Sequence, residues 1–339
     1  MSKNTGIQLA GARILVAGGA SLVGSHLTAA LLARDVAEVI VFDPVAFDAE
    51  DALGALKEDP RVTMVRGDLM KLHEVVRHMK GVNGAVNLAA YMTLGLSRAP
   101  IDALDLNIRG HGHFLEAAVA RGVEKVVFAS SNAVYGYGIG GPVAEETPQH
   151  NAGIPAPAAA YGASKIIGEQ LCRMYYRDHG LDYVVCRFST VYGENQHYRA
   201  ANALYIIETW DRIQRGERPQ LFGDGSESKD FVYAGDVARA ICLALEGEAT
   251  DVAVNTSGGQ GISTKELVEM IIRISGKNIE PEYIEDDGRV RLPTGAGLHF
   301  VNTKAREVLG WAPEMELEEG IRRLLTDHAA RTGGAPPPA

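Results

Sequence analysis

Three side chains in this sequence could together take a proton from a secondary alcohol. Tyr161 and Lys165 are four apart in Tyr161-Gly162-Ala163-Ser164-Lys165, a spacing that puts both on one face of a helix. A free phenol, with a pKa of about 10, is a poor base at neutral pH. A neighbouring ammonium favours the phenolate and makes it a usable general base. The spacing alone also recurs by chance in helices that do no chemistry. It gains weight from Ser131 in Ser130-Ser131-Asn132-Ala133-Val134-Tyr135-Gly136, which follows the apolar run Lys125–Ala129. A hydroxyl at a strand end can hydrogen-bond a substrate oxygen as charge develops on it.

These groups need a scaffold that brings a strand end to a helix face. Short apolar runs alternate with helix-length segments across the first half of the chain. The runs are Arg13–Ala17, Glu38–Phe42, Val62–Val65, Gly84–Leu88, Lys125–Ala129 and Asp182–Phe188. Helices are expected over Leu22–Arg34 and over Tyr161–Arg177, the latter after a stretch containing Pro155 and Pro157. This alternation predicts βαβ units with right-handed crossovers and a parallel sheet covered on both faces. The fold class is α/β, a Rossmann doubly wound parallel sheet with a smaller C-terminal substrate-binding lobe.

After Gly193 the pattern loosens into loops such as Phe222-Gly223-Asp224-Gly225-Ser226 and Glu285-Asp286-Asp287-Gly288. Ligands of doubly wound sheets bind beyond the carboxyl ends of the strands, so this half is expected to form the far wall of the cleft. The chain then divides into a Rossmann domain over 1–190, with a return segment at about 231–258, and a lobe over 191–230 and 259–330. Residues 331–339, with Gly333-Gly334-Ala335-Pro336-Pro337-Pro338, read as a disordered tail.

The segment Val16-Ala17-Gly18-Gly19-Ala20-Ser21-Leu22-Val23-Gly24 joins the first strand to the first helix. Glycines there let the backbone approach a pyrophosphate, which the helix N-terminus stabilises. A turn that merely packs helix on strand would look similar, and Ser21 stands where a middle glycine is usual. Asp43, at the end of the second run, follows Gly18 at the interval expected of a carboxylate that binds the adenosine ribose. It would repel a 2′-phosphate, and Pro44 and Val45 supply no compensating cation, so NAD is favoured over NADP. An oxidised nicotinamide would add to the pull of Lys165 on the Tyr161 proton. Gly67-Asp68-Leu69 could hold the adenine edge or cap a helix.

Composition narrows the partners. A net charge of −10 over 339 residues argues against nucleic acid, whose phosphates call for clustered Lys and Arg. Apolar stretches are broken by charge, as at Arg34, Asp35 and Glu38, so no membrane span is expected, and Met1–Gly11 lacks the apolar run of a signal peptide. Cys172, Cys186 and Cys242 are odd in number and lack CxxC spacing. Neither a disulfide framework nor a metal site is indicated, and a cytoplasmic enzyme with buried thiols is expected.

With these motifs in place, the chain resembles the extended short-chain dehydrogenases/reductases, specifically the NAD-dependent epimerase/dehydratase family that acts on nucleotide sugars. The likeness runs through the glycine loop, Asp43, Asp68-Leu69, Asn87-Leu88-Ala89-Ala90, Asn107, the Ser130–Gly136 run and Tyr161–Lys165. It continues through Arg187-Phe188-Ser189-Thr190-Val191-Tyr192-Gly193, Phe222–Gly225, Asp230-Phe231-Val232-Tyr233, Asp236-Val237-Ala238 and Leu309-Gly310-Trp311-Ala312-Pro313. The resemblance implies that Tyr161 is the base, that Lys165 binds the nicotinamide ribose and tunes Tyr161, and that Ser131 orients the substrate. It implies a cofactor site of Gly18, Ala20, Ser21, Leu22, Val23, Gly24, Asp43, Asp68, Leu69, Leu88, Ala89, Ala90, Asn107, Phe188 and Val191. It also implies a homodimer built on helices resembling Ile101–Arg121 and Tyr161–His179.

The family's dehydratases carry an Asp-Glu pair after the catalytic Ser/Thr, and its decarboxylases typically keep a Glu there. Asn132 and Ala133 offer neither acid, which leaves epimerisation or simple dehydrogenation. For the substrate, the resemblance points to Tyr91, Ser131 and Asn132. Asn202 resembles the family's pyrophosphate-contacting Asn, though it could equally cap a helix. Lys229 stands where Arg is usual, and Lys cannot grip phosphate bidentately. Arg289 or Arg291 could supply that fork, or either could be a solvated surface charge. Asn87 in place of a frequent His and Val301–Ala305 in place of a more usual ADxSKA sequence set the chain off from galactose-type epimerases.

The leading expectation is an NAD-dependent nucleotide-sugar 4-epimerase acting on a UDP-hexose or UDP-uronate. The alternative is an NAD-dependent dehydrogenase of a free sugar, sugar acid or other small secondary alcohol. A non-catalytic NAD-binding sensor is a third, opposed by the intact Ser131, Tyr161 and Lys165.

Overall fold

Apolar runs rich in β-branched residues suit strands that are buried on both faces. The computed structural model describes residues 6–44, 52–150, 153–196, 203–285 and 297–338. The chain begins with β1 (Arg13–Ala17), α1 (Leu22–Leu32), β2 (Glu38–Asp43), β3 (Val62–Arg66), α2 (Leu72–His78) and β4 (Gly84–Asn87). Next come α3 (Thr93–Arg98), α4 (Pro100–Leu104), α5 (His111–Arg121), β5 (Lys125–Ser131), β6 (Pro142–Val143), α6 (Ala156–His179), β7 (Asp182–Phe188) and β8 (Thr190–Tyr192). Then follow α7 (Leu204–Gln214), β9 (Gln220–Phe222), β10 (Ser228–Tyr233), α8 (Ala234–Glu246), β11 (Val252–Thr256), β12 (Gly261–Ser263) and α9 (Thr264–Ser275). The last elements are β13 (Glu282–Ile284), β14 (His299–Phe300), α10 (Thr303–Leu309) and α11 (Leu317–Thr332).

Seven strands form one parallel sheet in the order β11-β7-β5-β4-β1-β2-β3. The chain moves one way from β1 through β2 and β3, then crosses back to β4 and moves the other way. That reversal between β1 and β4 opens a crevice at their carboxyl ends. Period-two alternation divides β1 between two cores. Ile14 and Val16 pack with Leu27 of α1 and Ile241 of α8, whereas Leu15 and Ala17 pack with Val75, Phe114 and Cys172 on the other face. This is the Rossmann-like doubly wound sheet that the sequence predicts.

A second sheet, β12-β10-β8, belongs to the smaller lobe, where Trp210, Ile213, Ile271, Ile274 and Leu324 form a separate core. Because β10 pairs with β8 (Phe231 opposite Thr190), the return to the central sheet is made by α8 and β11, with residues 231–233 held in the smaller sheet. At the chain end, α11 runs to Thr332, supported by the i,i+4 pairs Glu319–Arg323 and Asp327–Arg331. Arg322 Nη1 also donates to the Pro338 carbonyl at 3.2 Å, so the segment read as a disordered tail is partly helical and packed back.

Two helices differ from the sequence reading in ways that matter for the site. α6 begins at Ala156, and Tyr161 lies in its second turn. Pro157 stands in the first turn, where its missing N–H has no partner to lose, so the proline starts this helix rather than preceding it. The segment read as one helix over Ile101–Arg121 is α4, a π-helical turn at Asp105–Gly110, and α5. Wide turns of this kind recur at functional sites, and this one carries Asn107. Among the described residues, no helix is long and apolar enough to cross a membrane.

Candidate active site

The carboxyl ends of β1, β2 and β4 meet around the glycine loop. Gly18 has φ +76°, and a Cβ there would lie 2.7 Å from the Ala89 nitrogen at the end of β4. A Cβ on Gly24 would lie 2.2 Å from the Gly19 carbonyl oxygen. Only glycine lets the loop and the helix approach this closely. The Ser21 hydroxyl donates to the Gly18 carbonyl at 2.7 Å and accepts from Gly24 N–H at 3.2 Å. It is the N-cap of α1 and closes the loop on itself, which accounts for a serine where the pattern expects glycine. Asp43 is buried, and its Oδ2 accepts from Ala20 N–H at 3.1 Å, which fixes the carboxylate at the loop.

The reacting groups cluster at the end of β5. The Ser131 hydroxyl stands close enough to the Tyr161 phenol to pull its pKa down. Ser131 Oγ also accepts from Ala133 N–H and contacts Asn132 Oδ1, each at 3.2 Å, so it caps the short turn that follows β5. Lys165 Nζ donates to the Ala129 carbonyl at 2.6 Å and lies 5.9 Å from the Tyr161 ring centroid. The predicted trio is thus assembled by one strand and one helix.

Burial sets the electrostatics. It pushes the Tyr161 phenol up to about 12, against the hydrogen bond from Ser131, which pulls it down. Desolvation is thus the largest influence on the Tyr161 phenol. Burial pulls Lys165 itself down to about 8, while the Glu169 carboxylate pulls it up. Behind the trio, Asn87 Oδ1 accepts from Ala89 N–H, which leaves Nδ2 to donate to His111 Nδ1 at 2.9 Å. Burial holds His111 neutral, down to about 3. Asn87, in place of a usual histidine, thus shapes the end of β4.

A family model for the NAD dependent epimerase/dehydratase family matches residues 14–255. The chain belongs to that family. It is an enzyme of the extended short-chain dehydrogenase/reductase type, and NAD is the family's cofactor. A UDP-glucose 4-epimerase of Mycolicibacterium smegmatis is 31% identical over 322 residues, covering 92% of this chain and 97% of the relative. The crystal structure of the Thermotoga maritima UDP-glucose 4-epimerase with UDP-glucose is 28% identical, with a TM-score of 0.81 over 94% of this chain and 99% of that one. The Thermus thermophilus UDP-glucose 4-epimerase, solved with NAD, is 29% identical with a TM-score of 0.77 over 93% and 98% of the two chains.

For this family member, the cradle at Gly18 and Gly24 and the buried Asp43 fit a dinucleotide. Leu88, Ala89 and Ala90 are half-buried at the mouth of the crevice, as are Ala20 and Val23. Asp68 Oδ1 accepts from Met70 N–H at 2.8 Å, forming a turn ahead of α2, whose N-cap is Lys71. Leu22, Leu69, Phe188 and Val191 are buried. The side chain of Asn107 grips both main-chain groups of Tyr91, at 2.8 and 2.9 Å, and donates to Ser164 at 3.1 Å, clamping the β4 exit to α6. Tyr91 is exposed nearby. Lys229 lies apart from this cluster, exposed on β10 opposite Ile262. Asn202, Arg289 and Arg291 lie outside the described residues. Among the described residues, no group of three His, Cys, Asp or Glu side chains is placed to hold a metal ion.

Several residues of the site carry no local sequence signal. Tyr137 faces Tyr161 closely enough for its phenol to raise the latter's pKa. Glu169 and Arg187 form a buried ion pair behind β5. Helical spacing puts Glu169 one turn beyond Lys165, but its partner on β7 is visible only once the strands are aligned.

Proposed function

We propose that the chain is an NAD-dependent nucleotide-sugar 4-epimerase that acts on a UDP-hexose or UDP-uronate through transient oxidation to a 4-keto sugar. One observation carries this reading. Ser131, which faces Tyr161, is followed by Asn132 and Ala133, so a proton acceptor and an oxygen-orienting hydroxyl stand without the adjacent acids that elimination of water would use. The named activities of the relatives described above support it.

Tyr161 Oη would take the proton of the sugar 4-hydroxyl while Ser131 Oγ holds that oxygen. Lys165 would hold positive charge beside the phenolate as it forms. When bound, NAD supplies the acceptor and later the donor of hydride at C4. The keto sugar would turn over in the cleft to present its opposite face to the returning hydride, and Tyr161 would give the proton back to O4, for no net redox change. Tyr91 and Asn132 would flank the sugar, with Asn202, Lys229 and Arg291 toward the pyrophosphate. Asp43 would bind the adenosine ribose.

A homodimer is part of the proposal. Ile101 of α4 and Ile167 and Met174 of α6 are 70%, 41% and 48% exposed, an apolar surface that a second copy would cover. The free buried thiols Cys172, Cys186 and Cys242 suit a cytoplasmic protein.

Proton NMR of the protein with NAD and UDP-glucose, UDP-N-acetylglucosamine or UDP-glucuronate tests the reaction. A new anomeric signal from an intact epimeric nucleotide sugar is expected with at least one of them. No change with any, together with NADH formation from free sugars or sugar acids, would establish a dehydrogenase instead.

A further inference from the structure

Behind the reacting trio lies a polar network buried between β5, α6, β7 and β11. Arg187 of β7 meets Glu169 of α6 in a two-pronged pair, Nε to Oε1 at 2.9 Å and Nη2 to Oε2 at 2.7 Å. Their side chains are only 14% and 8% exposed. Ser130, next to Ser131, donates to Glu169 Oε1 at 2.6 Å. Arg187 Nη1 donates to the Tyr135 hydroxyl and to the Glu145 carbonyl, each at 3.0 Å. Tyr135 in turn donates to Asn255 Oδ1 of β11 at 2.5 Å. The network thus ties the strand end that presents Ser131 to the helix that presents Tyr161 and Lys165.

We propose that Glu169, held by Arg187 and Ser130, is the positioning residue of the reacting centre: it locks the Ser131 strand end to α6 and sets a carboxylate one helical turn from the buried Lys165. The proposal rests on Ser131, Tyr161 and Lys165 being that centre.

The surroundings of Lys165 leave this task to Glu169. From α5 the neutral His111 faces it across the Phe128 ring, which stacks on His111 at 4.1 Å and lies 4.9 Å from Lys165 Nζ. From α6 come Tyr161 and Cys172, both kept in their neutral forms by burial, as is Tyr137 beyond Tyr161. β7 adds the Arg187 cation, whose charge Glu169 meets directly. Glu169 is the carboxylate that raises the Lys165 pKa against burial. A two-pronged guanidinium partner holds that carboxylate in a fixed orientation.

The test reads Lys165 itself and needs no sugar substrate, so it can fail independently of the epimerase assignment. In the full-length protein labelled with 13Cε-lysine, the Lys165 resonance is assigned by its loss in Lys165→Met and titrated by NMR. The wild-type midpoint is expected near 8. In Glu169→Gln it should fall by about one pH unit or more, the size expected when an adjacent opposite charge is lost. Tyr135→Phe breaks the same network on its Asn255 side without changing charge, so it should lower the melting temperature and leave the midpoint in place. If Glu169→Gln does not fold, Glu169→Gln/Arg187→Gln strands no guanidinium and should show a smaller fall, because the Arg187 cation is lost with the carboxylate. An unchanged midpoint in the Gln variants, or an equal fall in Tyr135→Phe, would overturn the proposal.

Discussion

The two halves of this enzyme are held together by different means. In the Rossmann half, main-chain ladders and two apolar cores do the work, and side-chain polarity enters mainly at the crevice. In the lobe the ladders are short, and a buried aspartate fastens them to the larger sheet. Asp230 accepts from Phe300 N–H, Gly258 N–H, Gly259 N–H and the Ser189 hydroxyl, joining β10 to β14, to the turn after β11 and to the end of β7. On α8, which returns the chain to the central sheet, Asp236 fastens a later loop in the same way, accepting from the N–H groups of Glu314 and Met315 while its own carbonyl receives Trp311 Nε1–H. A carboxylate accepts from several directions at once, so one residue can fasten loops that no sheet register reaches. The lesson is that the trio and the glycine loop sit on a repetitive scaffold, whereas loops beyond it hang on a few side chains with several partners each.

This contrast sets the order of expected effects. Tyr161→Phe removes only the hydroxyl of the proposed base, and kcat should drop by about 10³-fold. Melting temperature and NAD affinity should stay near wild type, because neither core nor cradle changes. A near-normal rate would separate the chemistry from the Rossmann half altogether. Asp230→Asn turns one of its acceptors into a donor facing donors, and should lower stability by about 3 kcal/mol in urea titrations. Calorimetry should find NAD binding nearly intact in the folded protein; equal loss in both would mean that the halves are not separable in this way.

The same contrast can be tested from the other side. Gly18→Ala forces a Cβ at φ +76° against the Ala89 main chain. NAD affinity should fall by about tenfold or more, while the apparent KM for the sugar is little changed. Asp43→Asn should have the smallest effect, weakening NAD by a few fold and narrowing its margin over NADP. An unchanged ratio of the two dissociation constants would show that Asp43 does not reach the ribose.

Much of the Rossmann half was legible because its period matches its burial. β1 and β7 have the predicted limits, Arg13–Ala17 and Asp182–Phe188, since an apolar strand in a parallel sheet is apolar throughout. The start of α6 was not, because Pro157 reads as a breaker unless the first turn is already located. Nor was the wide turn at Asn107, whose cause is a side chain gripping the main chain of Tyr91 sixteen residues earlier. The trio was legible from residue type and spacing. Its electrostatics was not, for burial is the largest influence on the Tyr161 phenol and shows only once the chain is folded. Asp230, Glu169 and Arg187 act on partners far away in the chain, and no local pattern announces such contacts.

The central claim is that Tyr161 and its neighbours run an oxidation that reverses itself on the same molecule. UDP-glucose carrying deuterium at C4 tests this most directly, with product and nicotinamide both examined by NMR and mass spectrometry after partial turnover. The account predicts a 4-epimer that retains deuterium at C4, with no deuterated NADH released. Deuterium accumulating in free NADH, or an epimer with protium at C4, would contradict it.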